Sequence, residues 1–97
     1  MKGIVWGNTF EDAKCKLCEI EEDYKPFSDI ELRRETKHTY ELYFTNGDSW
    51  MACSAIESNR GRACNISYID HNIDADFINT IIKHCTRCKP FNALHYF

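Results

Sequence analysis

The chain has 97 residues, 43% of them hydrophobic and 13% aromatic, with a net charge of −3. That content supports one hydrophobic core and a single domain over residues 1–97, and it excludes both a second core of useful size and a disordered chain. Eleven acids stand against seven Lys and Arg in residues 1–50 and four against five in residues 51–97, a balance that excludes neutralisation of many phosphates by a broad basic surface.

Gly3–Trp6 reads as a short buried strand closed by Gly7-Asn8. Thr9, with Asp12 three residues on, forms an approximate capping box. Phe10, Ala13, Leu17, Ile20 and Tyr24 then fall at i, i+3, i+7, i+10 and i+14, the narrow stripe of an amphipathic helix that Pro26 ends near Tyr24. Ile30–Lys37 alternates in the manner of an edge strand. Thr39–Thr45 and Asp48–Ala55 flank Asn46-Gly47, the dipeptide that supplies two positive φ values for a type I′ hairpin turn. A two-residue loop places Tyr43 opposite Trp50, Leu42 opposite Met51 and Tyr40 opposite Cys53, with apolar side chains on both faces and hence a sheet covered on both sides. After the loop Glu57–Arg62, Ala63–Ile69 reads as a central strand. Asp74 then caps a second helix with the stripe Ile78, Ile81, Ile82, Cys85, ended by Pro90, and His95–Phe97 returns as a short strand or packs as an aromatic latch. The order β-α-β-β-β-α-(β) predicts a small α/β (α+β) domain whose mixed sheet has about four to five strands, with two main helices.

No apolar run approaches the ~18 residues of a membrane span, and Gly3–Trp6 is far short of the ~7–15-residue core of a secretion signal. The expectation is a cytoplasmic chain with no membrane partner, whose six cysteines are thiols or metal ligands and not three disulfides. Cys15-x-x-Cys18 and Cys85-x-x-Cys88 together supply the four thiolates of a structural zinc site. Against that stand their helical settings, the absence of the glycine that follows a zinc knuckle, and the position of Cys85 on an apolar seam where a thiol packs as a small hydrophobe. His38, His71, His84 and His95 form no metal-binding spacing, and no nucleophile elbow or carboxylate pair is present.

Two features carry the candidate site. Arg60-Gly61-Arg62 sets two forked guanidiniums around a flexible glycine, able to grip a phosphate or carboxylate on a partner or to pair with Glu57 and the acids of the first helix. Asp70 ends the central strand, either as a ligand-binding acid or as a cap on the turn through the amides of Asn72 and Ile73. Both features are expected at one end of the sheet.

Phe44–Asp70, with its Asn-Gly turn, Arg-Gly loop and strand ending on Asp70, resembles the core ATPase-domain segment of bacteriophage terminase large subunits, where such a loop leads into the Walker B strand. The resemblance covers roughly residues 2–85. His71 stands where that family has a second acid, and the phosphate cradle is missing, since Gly7-Asn8-Thr9 lacks its lysine. It implies a small non-catalytic binding module of phage or prophage type in a bacterial cytoplasm, acting on a protein partner as a packaging accessory or an inhibitor of host machinery. A nucleic-acid partner is the alternative, and self-association is left open. Two further readings compete: a partial ATPase subunit completed by another chain, with Asp70 on Mg²⁺ and Arg60 near the γ-phosphate, and a small protein stabilised by zinc on Cys15, Cys18, Cys85 and Cys88. No cofactor is expected unless one of these brings zinc or Mg-nucleotide.

Overall fold

β1 (Lys2–Gly7) is buried from Gly3 onward, as a strand flanked on both edges must be. In the computed structural model, which describes residues 1–86 and 94–97, β1 pairs in parallel with β4 (Ser49–Ser54) on one side and β5 (Ile66–Ile69) on the other. Beyond β4, β3 (Tyr40–Phe44) and the edge strand β2 (Ile30–Glu35) run antiparallel, and beyond β5 the short β6 (Leu94–Tyr96) runs parallel. The mixed sheet therefore has six strands in the order β2-β3-β4-β1-β5-β6. That is one or two more than the sequence pattern counts, because both the charged edge segment and the C-terminal aromatic segment pair.

Helix α1 (Phe10–Tyr24) follows the predicted seam. Ala13, Leu17 and Ile20 are buried against Val5, Leu42, Phe44, Trp50 and Ala52, one face of the sheet. Thr9 caps it by accepting from the Asp12 amide at 3.2 Å. Tyr24 closes the seam: its ring stacks on Phe44 with centroids 4.1 Å apart, and its hydroxyl accepts from Trp50 Nε1 at 3.0 Å and donates to Asp48 at 2.7 Å. The second helix, α2, covers the other face. It consists of Ala75–Phe77, a π-helical stretch Ile78–Ile82, and Lys83–Cys85. The Lys83 amide reaches back to the Ile78 carbonyl, and the widened turn buries the adjacent Ile81 and Ile82 together with Cys85 against Ile4, Trp6, Met51 and Cys53. Asp74 precedes this helix, but its carboxylate makes no capping bond; its carbonyl accepts the Ile78 amide instead. Pro90 and Cys88 lie outside the described residues.

The hairpin differs from expectation by one residue. Glu41 lies opposite Met51, Leu42 opposite Trp50 and Tyr43 opposite Ser49. Only Gly47 has positive φ, at 95°, and the Phe44 amide bonds to the Asp48 carbonyl while Gly47 N–H bonds to the Phe44 carbonyl. This is a three-residue loop, a type I turn with a glycine bulge, and not type I′. Tertiary contacts select it: Asn46 N–H donates to Ser28 Oγ at 3.2 Å, and Asp48 accepts from both Tyr24 and the N-terminal ammonium. The register sends Tyr40, Leu42 and Phe44 all toward α1, leaving Glu41 and Tyr43 half-buried on the opposite face.

Candidate binding site

Asp70 continues β5 by one residue and is 4% exposed. Its Oδ2 accepts from the Asn8 amide at 3.1 Å and its Oδ1 from the Asn72 amide at 3.0 Å. The turn-capping reading holds for Asn72, whereas the Ile73 amide bonds to the Asp70 carbonyl and not to the carboxylate. The Asn8 bond was not legible in sequence. It ties the turn between β1 and α1 to the end of β5, so both carboxylate oxygens already serve the backbone. Asp70 lines a cleft of about 280 Å³ together with Asp12, Glu19, Lys16, His71 and Phe97. Its acids make it a poor seat for phosphate.

Arg60, Gly61 and Arg62 line a different groove, about 240 Å³, with Thr80, Ile81 and His84. The expectation that the arginines and Asp70 share one end of the sheet is thus corrected. β4 and β5 run in the same direction with β1 between them, so the connection must return from the carboxyl end of β4 to the amino end of β5. Arg60–Arg62 fall on that return leg, which crosses the α2 face; Arg62 also borders a small cleft with Lys2 and Ser49, at the amino ends of β1 and β4. For the ATPase reading this places Arg60 and Asp70 in separate clefts.

The two arginines are held differently. Arg60 forms an exposed ion pair with Glu57 at 2.7 Å, the local pairing that their i, i+3 spacing allows. Arg62 is set by the short 3₁₀ turn Glu57–Asn59. Asn59 Nδ2 donates to the Ser54 carbonyl at 2.7 Å, and its Oδ1 accepts from Arg62 Nε at 3.1 Å. Arg62 Nη1 also lies 3.8 Å from Met51 Sδ. Gly61, at φ 91°, makes the reversal between the two arginines. Among the described residues no carboxylate pairs with Arg62, and its remaining guanidinium donors face outward. A third cleft, about 460 Å³, also reaches Arg62 and is lined by Met51, Cys53, Ile56 and Glu41 among others.

Cys15 and Cys18 are exposed on α1, while Cys85 is buried in the cluster on the opposite face. The sheet stands between them, so these three do not assemble into the single tetrahedral site that their spacing suggested. Among the described residues no group of three His, Cys, Asp or Glu side chains is placed to hold a metal. Cys53, Cys64 and Cys85 pack together with Ile4 and Trp6. Burial pushes the Cys53 thiol up to about 11 and raises that of Cys64, which keeps both protonated and unreactive. Sequence reasoning missed Asn59 and Met51 as the supports of Arg62, and Thr80 and His84 as the far wall of its groove. The one available signal was that Thr80 and His84 are i, i+4 neighbours on a helix.

Among the described residues no helix is long and apolar enough to cross a membrane. Comparison with family models, with curated proteins and with solved structures returned no match to the chain.

Proposed function

We propose that this chain is a small non-catalytic binding module that acts in a bacterial cytoplasm by engaging a protein partner through the Arg60–Arg62 loop. The observation that carries the reading is the state of Arg62: a guanidinium fixed by Asn59 and Met51, unpaired with any acid among the described residues, and bordering three clefts, one of them walled by α2. A cation held in place with free donors has its ordering cost already met, which favours recognition over mere solvation. Asp70 supports the same reading from the other side, since a carboxylate whose two oxygens hold the Asn8 and Asn72 amides is a fold clamp and a poor Mg²⁺ ligand. The phage or prophage setting, as packaging accessory or inhibitor of host machinery, rests on the terminase resemblance of residues 44–70.

The test compares the parent with an Arg60→Ala/Arg62→Ala variant. Both side chains are exposed, so the melting temperature should stay within a few degrees. Capture of the partner identified with the parent should fall ~10-fold or more, the loss of charge-assisted contacts worth ~1.5–3 kcal/mol. A stable variant that captures the partner as well as the parent refutes the reading. Tight binding of Mg-ATP by the isolated chain in calorimetry would favour the ATPase alternative instead.

A further inference from the structure

We propose that the groove between Arg60–Arg62 and the Thr80–Cys85 stretch of α2 receives an acidic side chain of the partner, and that the adjoining Met51–Ile56 cleft receives an apolar one from the same segment. The inference rests on the proposed protein-binding role and gives it a ligand chemistry.

Charge selects the acid. The nitrogen-bearing side chains of the groove are Arg60, Arg62 and His84, and no carboxylate lines it, in a chain whose net charge is −3. A positive recess on a negative molecule favours an anion there. The two guanidiniums offer planar forks that match a carboxylate, and Thr80 and His84 supply the opposite wall. Arg60 is free to turn toward such a ligand, because its pair with Glu57 is exposed on both sides and therefore easily exchanged.

Size selects a side chain of a macromolecule. At about 240 Å³ the groove is below the ~300–1,000 Å³ of pockets that enclose whole small molecules. A nucleic acid is disfavoured by the same net charge, which opposes accumulation of a polyanion. The neighbouring cleft sets the second requirement. Met51, Cys53 and the 52% exposed Ile56 give it apolar lining, while Glu41, which also lines it, repels a second acid. Arg62 borders both recesses, so one short segment with an acid and a nearby bulky apolar residue fills them together.

The probe is a short fluorescein-labelled peptide carrying Asp-Glu followed by Leu, read by fluorescence anisotropy against the full chain at low salt. The control peptide has Asn-Gln in place of Asp-Glu and needs no altered protein. The acidic peptide should bind ~10-fold or more tightly than its amide counterpart, and Arg62→Gln or Arg60→Gln should remove most of that difference. Lys16→Gln, on the opposite face, should leave it unchanged. Equal binding of the two peptides, no binding of either, an effect of Lys16→Gln as large as that of Arg62→Gln, or better binding of a short single-stranded oligonucleotide overturns the inference. If the peptides fail while partner capture still depends on Arg60 and Arg62, the ligand chemistry is wrong and the binding reading stands; if capture is indifferent to both arginines, the binding reading itself falls.

Discussion

If Asp70 is a clamp, its removal should be felt as lost stability. In Asp70→Ala two charge-assisted bonds disappear, to Asn8 at 3.1 Å and Asn72 at 3.0 Å. At ~1.5–3 kcal/mol each the sum is ~3–6 kcal/mol, but Asn8 and Asn72 are themselves exposed, so water replaces the carboxylate at both amides and ~2–3 kcal/mol is expected. For a domain of this size that lowers the melting temperature by ~10–20 °C. Asp70→Asn keeps one acceptor oxygen and turns an NH₂ toward the other amide, which should cost ~1–2 kcal/mol. Urea unfolding followed by the fluorescence of the buried Trp6 and Trp50 measures both, and an unchanged dependence on urea shows that only the native state was touched. An Asp70→Ala variant within ~0.5 kcal/mol of the parent would sink the argument, because a surface acid tolerates that change and a clamp does not.

Stability should decline in alkali from about pH 9 upward. Burial raises the Cys53 thiol from 9.0 to about 11, and burial likewise raises the Tyr24 phenol from 10.0 to about 12. In both cases the folded state holds its proton longer than the unfolded one, so the stabilisation is complete below the unfolded value and lost as pH rises through the folded one. Denaturation at pH 8, 9.5 and 10.5 should show the decline, shallower in Cys53→Ala; an identical slope in parent and variant would remove Cys53 from the account. Tyr24→Phe should cost ~1–3 kcal/mol at neutral pH, since it leaves Trp50 Nε1 without its acceptor, and a neutral result in chemical denaturation would contradict that hydrogen bond. Gly47→Ala should cost ~1 kcal/mol from positive φ alone, since open space surrounds the site, and Gly47→Asn should cost less. Alkylation mapped by mass spectrometry on the native chain should label Cys15 and Cys18 quickly and Cys53, Cys64 and Cys85 only on unfolding, with no change on adding EDTA; fast labelling of Cys85 would contradict its burial.

Helix α1 was legible because three independent local signals agree on it: a seam, a cap at Thr9 and a proline after Tyr24. The hairpin was legible as a hairpin and misjudged in register, since Asn46-Gly47 fits two turn types. The choice depends on Ser28, Tyr24 and the N-terminal ammonium, all distant in sequence. Asp74 looked like a cap by the same local logic, yet the helix it precedes takes its geometry from the need to bury Ile81, Ile82 and Cys85 together. The thiols divide along the same line. Their spacing is visible in sequence, but whether two helices lie on one face or on opposite faces follows from connections that no local pattern encodes.

The placement of Arg62 shows why the candidate site was half visible. Pairing of Arg60 with Glu57 needs only one turn of chain, and it was anticipated. Arg62 depends on strand order. Had β4 and β5 been adjacent and antiparallel, their connection would have been a tight loop at the amino end of β5, with no return leg for the arginines to lie on. Because β1 lies between them and all three strands are parallel, the chain must instead travel back along the α2 face before β5 begins. A segment laid across a sheet in this way has to satisfy the apolar strands beneath it and the water above it. Arg62 meets both demands, with its guanidinium edge toward Met51 and Asn59 and its free donors outward. The irregular α2 then closes the groove from the other side through Thr80 and His84. The cationic recess is thus a product of the parallel core, and changes to the order of β4, β1 and β5 would abolish it even with every arginine retained.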